Sequence, residues 1–266
     1  MRILYFCTTW GQKMNSWDEF FSGIISHGYQ GVETDLPAEG EQNEFMEGLD
    51  KYGLKFIAQH WETTDVNLKS HQQEYEERLH KLAALKPLFI NSHTGRDFFS
   101  WEQNCSLLDS AQKIEKETGV RIVHETHRSR FAYAAHVTAP FLNQRPELQL
   151  TLDVSHWCAV AESLLQDQPE AVNLAIKHTA HIHARVGFAQ GPQVADPSLP
   201  EYAEALAFHL NCWDKVVENY KGDILTITPE FGPIPYMPHH LPQERQWQNN
   251  LYIMNLLKNR YQLNQS

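Results

Sequence analysis

Eight times along this chain a short apolar run is followed by a longer stretch, and that alternation limits the fold more than any other feature. The runs are RILYFC (2–7), GVET (31–34), LKFIAQH (54–60), LFINSH (88–93), VRIVHE (120–125), LQLTLDV (148–154), HIHA (181–184) and ILTITPE (224–230). Each suits a buried strand and is too short for a helix of ordinary length. Between them, SWDEFFSGIISHG opens on Ser16 with Glu19 three residues on, a capping-box pattern, and stops at Gly28. SHQQEYEERLHKLAALK sets Tyr75, Leu79, Leu82 and Leu85 on one helical face. SWEQNCSLLDSAQKIEKETG repeats the capping plan with Ser100 and Gln103 and ends at Gly119, and a last helix is expected near ERQWQNNLYIMNLLKNR. Strand-plus-helix units of roughly 20 to 40 residues, eight in succession, predict an α/β fold, a (β/α)8 TIM barrel forming a single domain over residues 1–266. An open doubly wound sheet is the alternative, but it usually begins with a glycine-rich phosphate turn, and none follows the first strand.

Charge narrows the function. Acidic residues outnumber basic ones, 33 to 22, for a formal net charge of −11. Proteins that track a phosphate backbone usually concentrate Lys and Arg, so a small-molecule partner is expected rather than nucleic acid. No apolar run reaches the ~18 residues of a membrane span, so no membrane partner is expected. MRILYFCTTWGQ reads as a first strand and not as a signal peptide. The four cysteines, Cys7, Cys105, Cys158 and Cys212, are scattered with no CxxC pair, which suggests free thiols, no structural zinc cluster and a cytoplasmic location. The 15 histidines are the more informative count, because several stand beside carboxylates at the ends of apolar runs, as metal chemistry requires.

Strand alternation sorts these residues. In LQLTLDV, Leu148, Leu150, Leu152 and Val154 face one way, and Gln149, Thr151 and Asp153 the other. In HIHA, His181 and His183 share a face, as do Thr226, Thr228 and Glu230 in ILTITPE. In a barrel the apolar set meets the helices and the polar set lines the interior, with the last polar residue of each strand at the C-terminal mouth. Four strands offer a ligand-type residue there: Glu125, Asp153, His183 and Glu230. Three carboxylates and one imidazole suit one divalent ion such as Mn²⁺, Zn²⁺, Co²⁺ or Mg²⁺. His156, just past the sixth strand, is near enough to ligate or to contact a substrate.

GVE (31–33), SHTG (92–95), HETHRSR (124–130), LDVSHW (152–157), HIHARVG (181–187) and PEFGP (229–233) together resemble the xylose-isomerase-like TIM-barrel superfamily of sugar isomerases and epimerases, which also includes the endonuclease-IV-like enzymes. The resemblance runs through the whole chain. It implies a metal held by Glu125, Asp153, His183 and Glu230. It also implies catalysis by Glu125 and Glu230, which would remove and return a proton beside a carbonyl through an enediolate that the metal stabilises. His156 contacts substrate in the epimerase branch and metal in the endonuclease branch. Known ketose epimerases carry an Arg several residues past the strand-7 His, whereas Arg185 here is only two past His183.

The wider site is expected to include His93 and His60 at strand ends, Trp10 and Trp61 as stacking walls, and Arg185, Arg128 and Arg130 as cations for an acidic or phosphorylated sugar. VGFAQGPQVADPSLP (186–200) is a candidate lid and GPIPYMPHH (232–240) a second wall. The helical histidines His27, His71, His80 and His209 are expected to be exposed. Barrels of this type often pair, so a homo-oligomer is an open possibility. Three other activities compete: an inosose-dehydratase-like lyase, an endonuclease-IV-like phosphodiesterase and a non-catalytic binding barrel. The phosphodiesterase needs an Asp-x-His pair after strand 7, where this chain has Asp196-Pro197-Ser198.

Overall fold

A computed structural model describes residues 1–242 and 244–262. Residues 263–266 of the expected domain lie outside the described residues. The chain runs β1 (Arg2–Thr8), α1 (Trp17–Ser26), β2 (Gly31–Thr34), α2 (Gln42–Tyr52), β3 (Lys55–His60), α3 (Leu68–Ala84), β4 (Ile90–Ser92), α4 (Trp101–Thr118), β5 (Ile122–Glu125), α5 (Ala135–Gln144), β6 (Leu150–Leu152), α6 (Val154–Ala161), α7 (Pro169–Lys177), β7 (Thr179–His183), α8 (Ala203–Asn219), β8 (Ile224–Thr228) and α9 (Glu244–Gln262). All strand pairs are parallel, and β8 returns to β1 with Arg2 opposite Ile224 and Tyr5 opposite Ile227, so the sheet closes into an eight-stranded barrel. The sequence predicts this architecture and its strand positions to within two residues at most ends.

Local signals set the helix ends. Ser16 accepts from Glu19 N–H at the start of α1, although the reciprocal bond of a full box is absent because Glu19 is bonded to Asn15 instead. At α4 both halves of the box form between Ser100 and Gln103, and Gly119 closes the helix at φ +71°.

Two layers fill the structure. Tyr5, Cys7, Val32, Phe56, Ile90, Ile122, Leu150, Leu152, Ile182 and Leu225 point outward into the main core beneath the helices. Inside the barrel, Phe6, Ile57, Phe89, Val123 and Ala180 form a small apolar plug. The expectation of a wholly polar interior is therefore corrected: alternation by two carries each inward row from this plug to polar residues above it, Ile57 to Gln59, Phe89 to Asn91 and Val123 to Glu125. In β7 the alternation breaks, because the register against β6 shifts between Leu150 and Thr151, which pair with Thr179 and His181. That irregularity lets Ala180 join the plug while His181 and His183 both turn inward.

Among the described residues no helix is long and apolar enough to cross a membrane. All four cysteines are free. His71 and His209, expected on helix surfaces, are fully buried: Nδ1 of each donates to a carbonyl, Asp65 (2.9 Å) and Ala205 (2.8 Å), and His209 Nε2 accepts from Gly187 N–H, while His71 Nε2 has no hydrogen-bond partner among the described residues.

Candidate active site

Glu125 is the last residue of β5 and His183 the last of β7. Asp153 follows β6 directly and caps α6, accepting from the N–H of Ser155 at 3.0 Å and from its hydroxyl. Glu230 lies two residues beyond β8. The four meet at the C-terminal mouth, each buried, with one donor atom from each within 4.8 Å of the others. Nδ1 of His183 is 3.0 Å from Glu230 Oε2 and 3.5 Å from Glu125 Oε2.

A divalent ion suits this set. His183 donates from Nε2 to Glu33 Oε1 at 3.0 Å, which leaves the lone pair of the neutral ring on Nδ1, and that buried atom makes no hydrogen bond. The charges agree as well: three carboxylates less the guanidinium of Arg185, which pairs with Asp153 and lies 3.8 Å from Glu230, leave two negative charges. Without a cation, burial pushes the pKa of His183 down, but Glu230, Glu33 and Glu125 outweigh it and raise the value well above normal, so a bound ion would take the place of a proton on Nδ1. Burial alone would raise Glu125, yet His93 and His183 hold it well below the usual carboxylate range. Asp153 is raised, chiefly by burial, against the opposing pull of Arg185.

A polar layer supports the cluster from below. Glu33, fully buried, accepts from Asn91 Nδ2 (3.0 Å), Thr228 Oγ1 (2.5 Å), His183 and His181 (3.1 Å). Burial opposes its ionisation, but His183 and His181 outweigh this and keep it low. With four partners this carboxylate is saturated, so the grouping of Glu33, His181 and His183 is a strut and not an ion site. In the sequence Glu33 stands out only as part of the GVE marker, and its place near a strand end is the one signal of this role.

The cluster opens into a cavity of about 400 Å³, within the roughly 300–1,000 Å³ common for small-molecule sites. Trp10, Trp61 and Tyr236 give it aromatic walls, and Thr9, Asp35, Gln59, His93 and His127 add polar groups. Trp10 and Tyr236 pack edge to face at 5.0 Å, and Arg185 lies over both rings. Nε2 of His93 is 2.8 Å from Glu125 Oε2. No sequence signal singles out Asp35, Gln59 or His127 for the cavity wall, although His127 lies inside HETHRSR.

Other expected site residues lie elsewhere. His60 is fully buried and off the cavity wall, with its nitrogens on Ser92 (3.3 Å) and Thr63 (2.9 Å). His156 is buried behind the site, where its Nε2 accepts from Arg185 Nη2 at 2.7 Å. Arg128 donates to the Tyr236 hydroxyl at 2.9 Å and faces a neighbouring groove. Arg130 reaches the cavity, but its terminal nitrogens donate to the carbonyls of Thr63 (2.7 Å) and Trp61 (2.5 Å). The 186–200 loop is tied down by Gln193, which bonds the backbone of Gly232, and by an Asp196–Arg245 ion pair at 2.8 Å.

No protein-family model and no curated protein matches the sequence. Solved structures do match over nearly the whole chain. Endonuclease IV from Thermus thermophilus aligns with a TM-score of 0.63 and 13% identity, covering 96% of this chain and 99% of that one. The apo 3-keto-D-glucoside 4-epimerase from E. coli gives 0.63 and 13%, covering 97% and 100%. A D-tagatose 3-epimerase-like protein gives 0.64 and 14%, covering 98% and 97%. At such identities it is the fold alone that is shared: a closed barrel of eight parallel strands, common to this chain, endonuclease IV and these epimerase structures.

Proposed function

We propose that the protein is a divalent-metal-dependent isomerase or epimerase of a small uncharged carbohydrate, moving a proton at the carbon beside a carbonyl. The observation that carries this is the pairing of Glu125 and Glu230 in one buried four-donor cluster that opens on an aromatic-walled cavity. A bound divalent ion would supply Lewis-acid polarisation of the substrate's carbonyl and neighbouring hydroxyl oxygens. Glu125, Asp153, His183 and Glu230 would hold it.

The chain's own residues divide the remaining work. Asp153 is anchored by Ser155 and Arg185 and does not line the cavity, which leaves Glu125 and Glu230, both on its wall, to carry protons. Both face the cavity, so one removes the proton and the other returns it. Gln59 Nε2 steadies Glu230 Oε1 at 3.2 Å, and His93 steadies Glu125. Trp10 and Tyr236 offer apolar faces to a sugar ring. The arginines that the sequence suggests for an anionic substrate are each engaged, Arg185 on Asp153, Arg130 on backbone carbonyls and Arg128 on Tyr236, which favours an uncharged polyol over a phosphate or uronate. Phosphodiester cleavage is disfavoured because His60 is turned into the core and Asp196 is paired with Arg245.

The test is incubation of the metal-loaded protein in D2O with a panel of neutral ketoses, their phosphates and uronates. Deuterium appearing beside the carbonyl of a neutral ketose supports the reading. Exchange confined to the phosphates or uronates overturns the uncharged substrate, and a product lighter by one water makes the protein a lyase.

A further inference from the structure

We propose that a groove sharing Tyr236 with the catalytic cavity receives a second sugar ring, so that the substrate is a keto sugar carrying a further uncharged ring. This deepens the proposed function and rests on it for the first ring. Tyr236 borders both spaces. Arg185, on the cavity wall, lies 5.5 Å from the centre of its ring, and Arg128, on the groove wall, lies 5.4 Å from it. The groove holds about 270 Å³ against about 400 Å³ for the cavity. That is just below the roughly 300–1,000 Å³ of a pocket for a whole ligand, and it suits part of a molecule anchored next door.

The groove is preformed. Gln193 bonds Gly232 in both directions, donating from Nε2 to its carbonyl at 3.2 Å and accepting at Oε1 from its N–H at 2.7 Å, which ties the 186–200 loop to the 232–240 wall. Phe188 and Gly191 exchange backbone hydrogen bonds of 2.9 and 3.1 Å and close a tight turn at the rim. Phe188 is braced edge to face against Tyr202 at 5.7 Å. Walls fixed in advance reduce the ordering cost of binding.

Its chemistry matches a sugar. Phe188, Pro192 and Pro235 offer apolar surface to the C–H face of a ring, and the Gln190 amide adds a donor and an acceptor. Arg128 Nη2 donates to the Tyr236 hydroxyl at 2.9 Å, and among the described residues no carboxylate pairs with this guanidinium. A guanidinium has five N–H donors, so most remain for neighbouring hydroxyls.

Isothermal titration of the Mn²⁺-loaded protein tests the groove. The probes are D-fructose, D-fructose 6-phosphate and three disaccharides that add a glucosyl ring to fructose at O3, O4 or O6 (turanose, maltulose and palatinose). At least one disaccharide should bind about 10-fold tighter than fructose, the scale of one or two net hydrogen bonds. Gly191→Trp should fill the groove, since a Cβ there meets Phe188 Cε1 at an ordinary 3.5 Å and the backbone lies outside the left-handed region. Arg128→Met keeps the stem and removes the donors. In both variants, checked for cooperative thermal unfolding, the preference should shrink to about 2-fold or less. Disaccharides no tighter than fructose, or a preference untouched in both folded variants, overturns the groove and leaves the proposed function standing. Tightest binding of the phosphate makes the groove an anion subsite and overturns the second ring. Binding of none of the five contradicts the groove, and exchange in D2O over the ketose panel then decides whether the proposed function falls with it.

Discussion

Glu33 Oε1 accepts the Nε2–H of His183 at 3.0 Å, and this bond turns the ring's other nitrogen toward Glu125 and Glu230. Histidines that ligate metals commonly donate their second N–H to a carboxylate, which fixes the tautomer and raises ligand basicity. Glu33→Gln is therefore expected to weaken divalent-metal binding by about 10- to 100-fold, measured by competition with a chromophoric chelator. Unchanged affinity in a folded variant would remove Glu33 from this role.

Glu125→Gln and Glu230→Gln each remove one proton carrier. Positioned general acid–base catalysis is worth about 10²- to 10⁴-fold, and a loss of that size is expected in deuterium wash-in for each variant under saturating metal. If one variant retained full exchange, the two-carboxylate division of labour would be wrong.

Gly232 packs against the cavity wall. A Cβ there would sit 2.2 Å from Cη2 and 2.4 Å from Cζ3 of Trp10. Gly232→Ala should push the indole off its edge-to-face contact with Tyr236 and destabilise the fold by about 1–3 kcal/mol. KM should rise more than kcat falls. A variant with wild-type KM would show that Trp10 is not a substrate wall.

His209 gives the protein an acid-sensitive fold. It is fully buried, accepts from Gly187 N–H at 3.2 Å, and burial pushes its pKa down to about 4. In the unfolded chain the value returns to about 6.5. Between those values the unfolded state binds the extra proton, so stability is full above about pH 6.5 and falls as pH drops toward 4. From pH 7 to 5 the loss from this residue is about 2 kcal/mol. Urea unfolding at the two pH values measures it, and His209→Gln should remove that part of the dependence, leaving the share of other histidines held low by burial, His60, His124, His127 and His156 among them. A dependence as steep in the variant would assign the loss to other groups.

The barrel was legible because strand and helix periods alternate without interruption from Arg2 to Thr228. Glu125, Asp153, His183 and Glu230 were legible because each ends or follows a strand, and a parallel barrel brings such ends to one mouth. What the sequence hid depends on side-chain direction. His60 and His93 both end apolar runs, yet His60 bonds Ser92 and Thr63 while His93 reaches Glu125. The cation-rich HETHRSR reads as an anion site until Arg130 is seen spanning two backbone carbonyls. His71 and His209 look like surface residues by helix position, and a carbonyl within reach of each ring is what permits their burial.

Glu125, Asp153, His183 and Glu230 are proposed to hold a divalent ion. The most direct test is the metal content of protein purified without added metal or chelator, by elemental mass spectrometry, beside Glu230→Gln. At least one Mn, Zn or Co per chain is expected in the unmodified protein, with one ion fewer in the variant. No metal as purified, and none taken up when offered, would contradict the account.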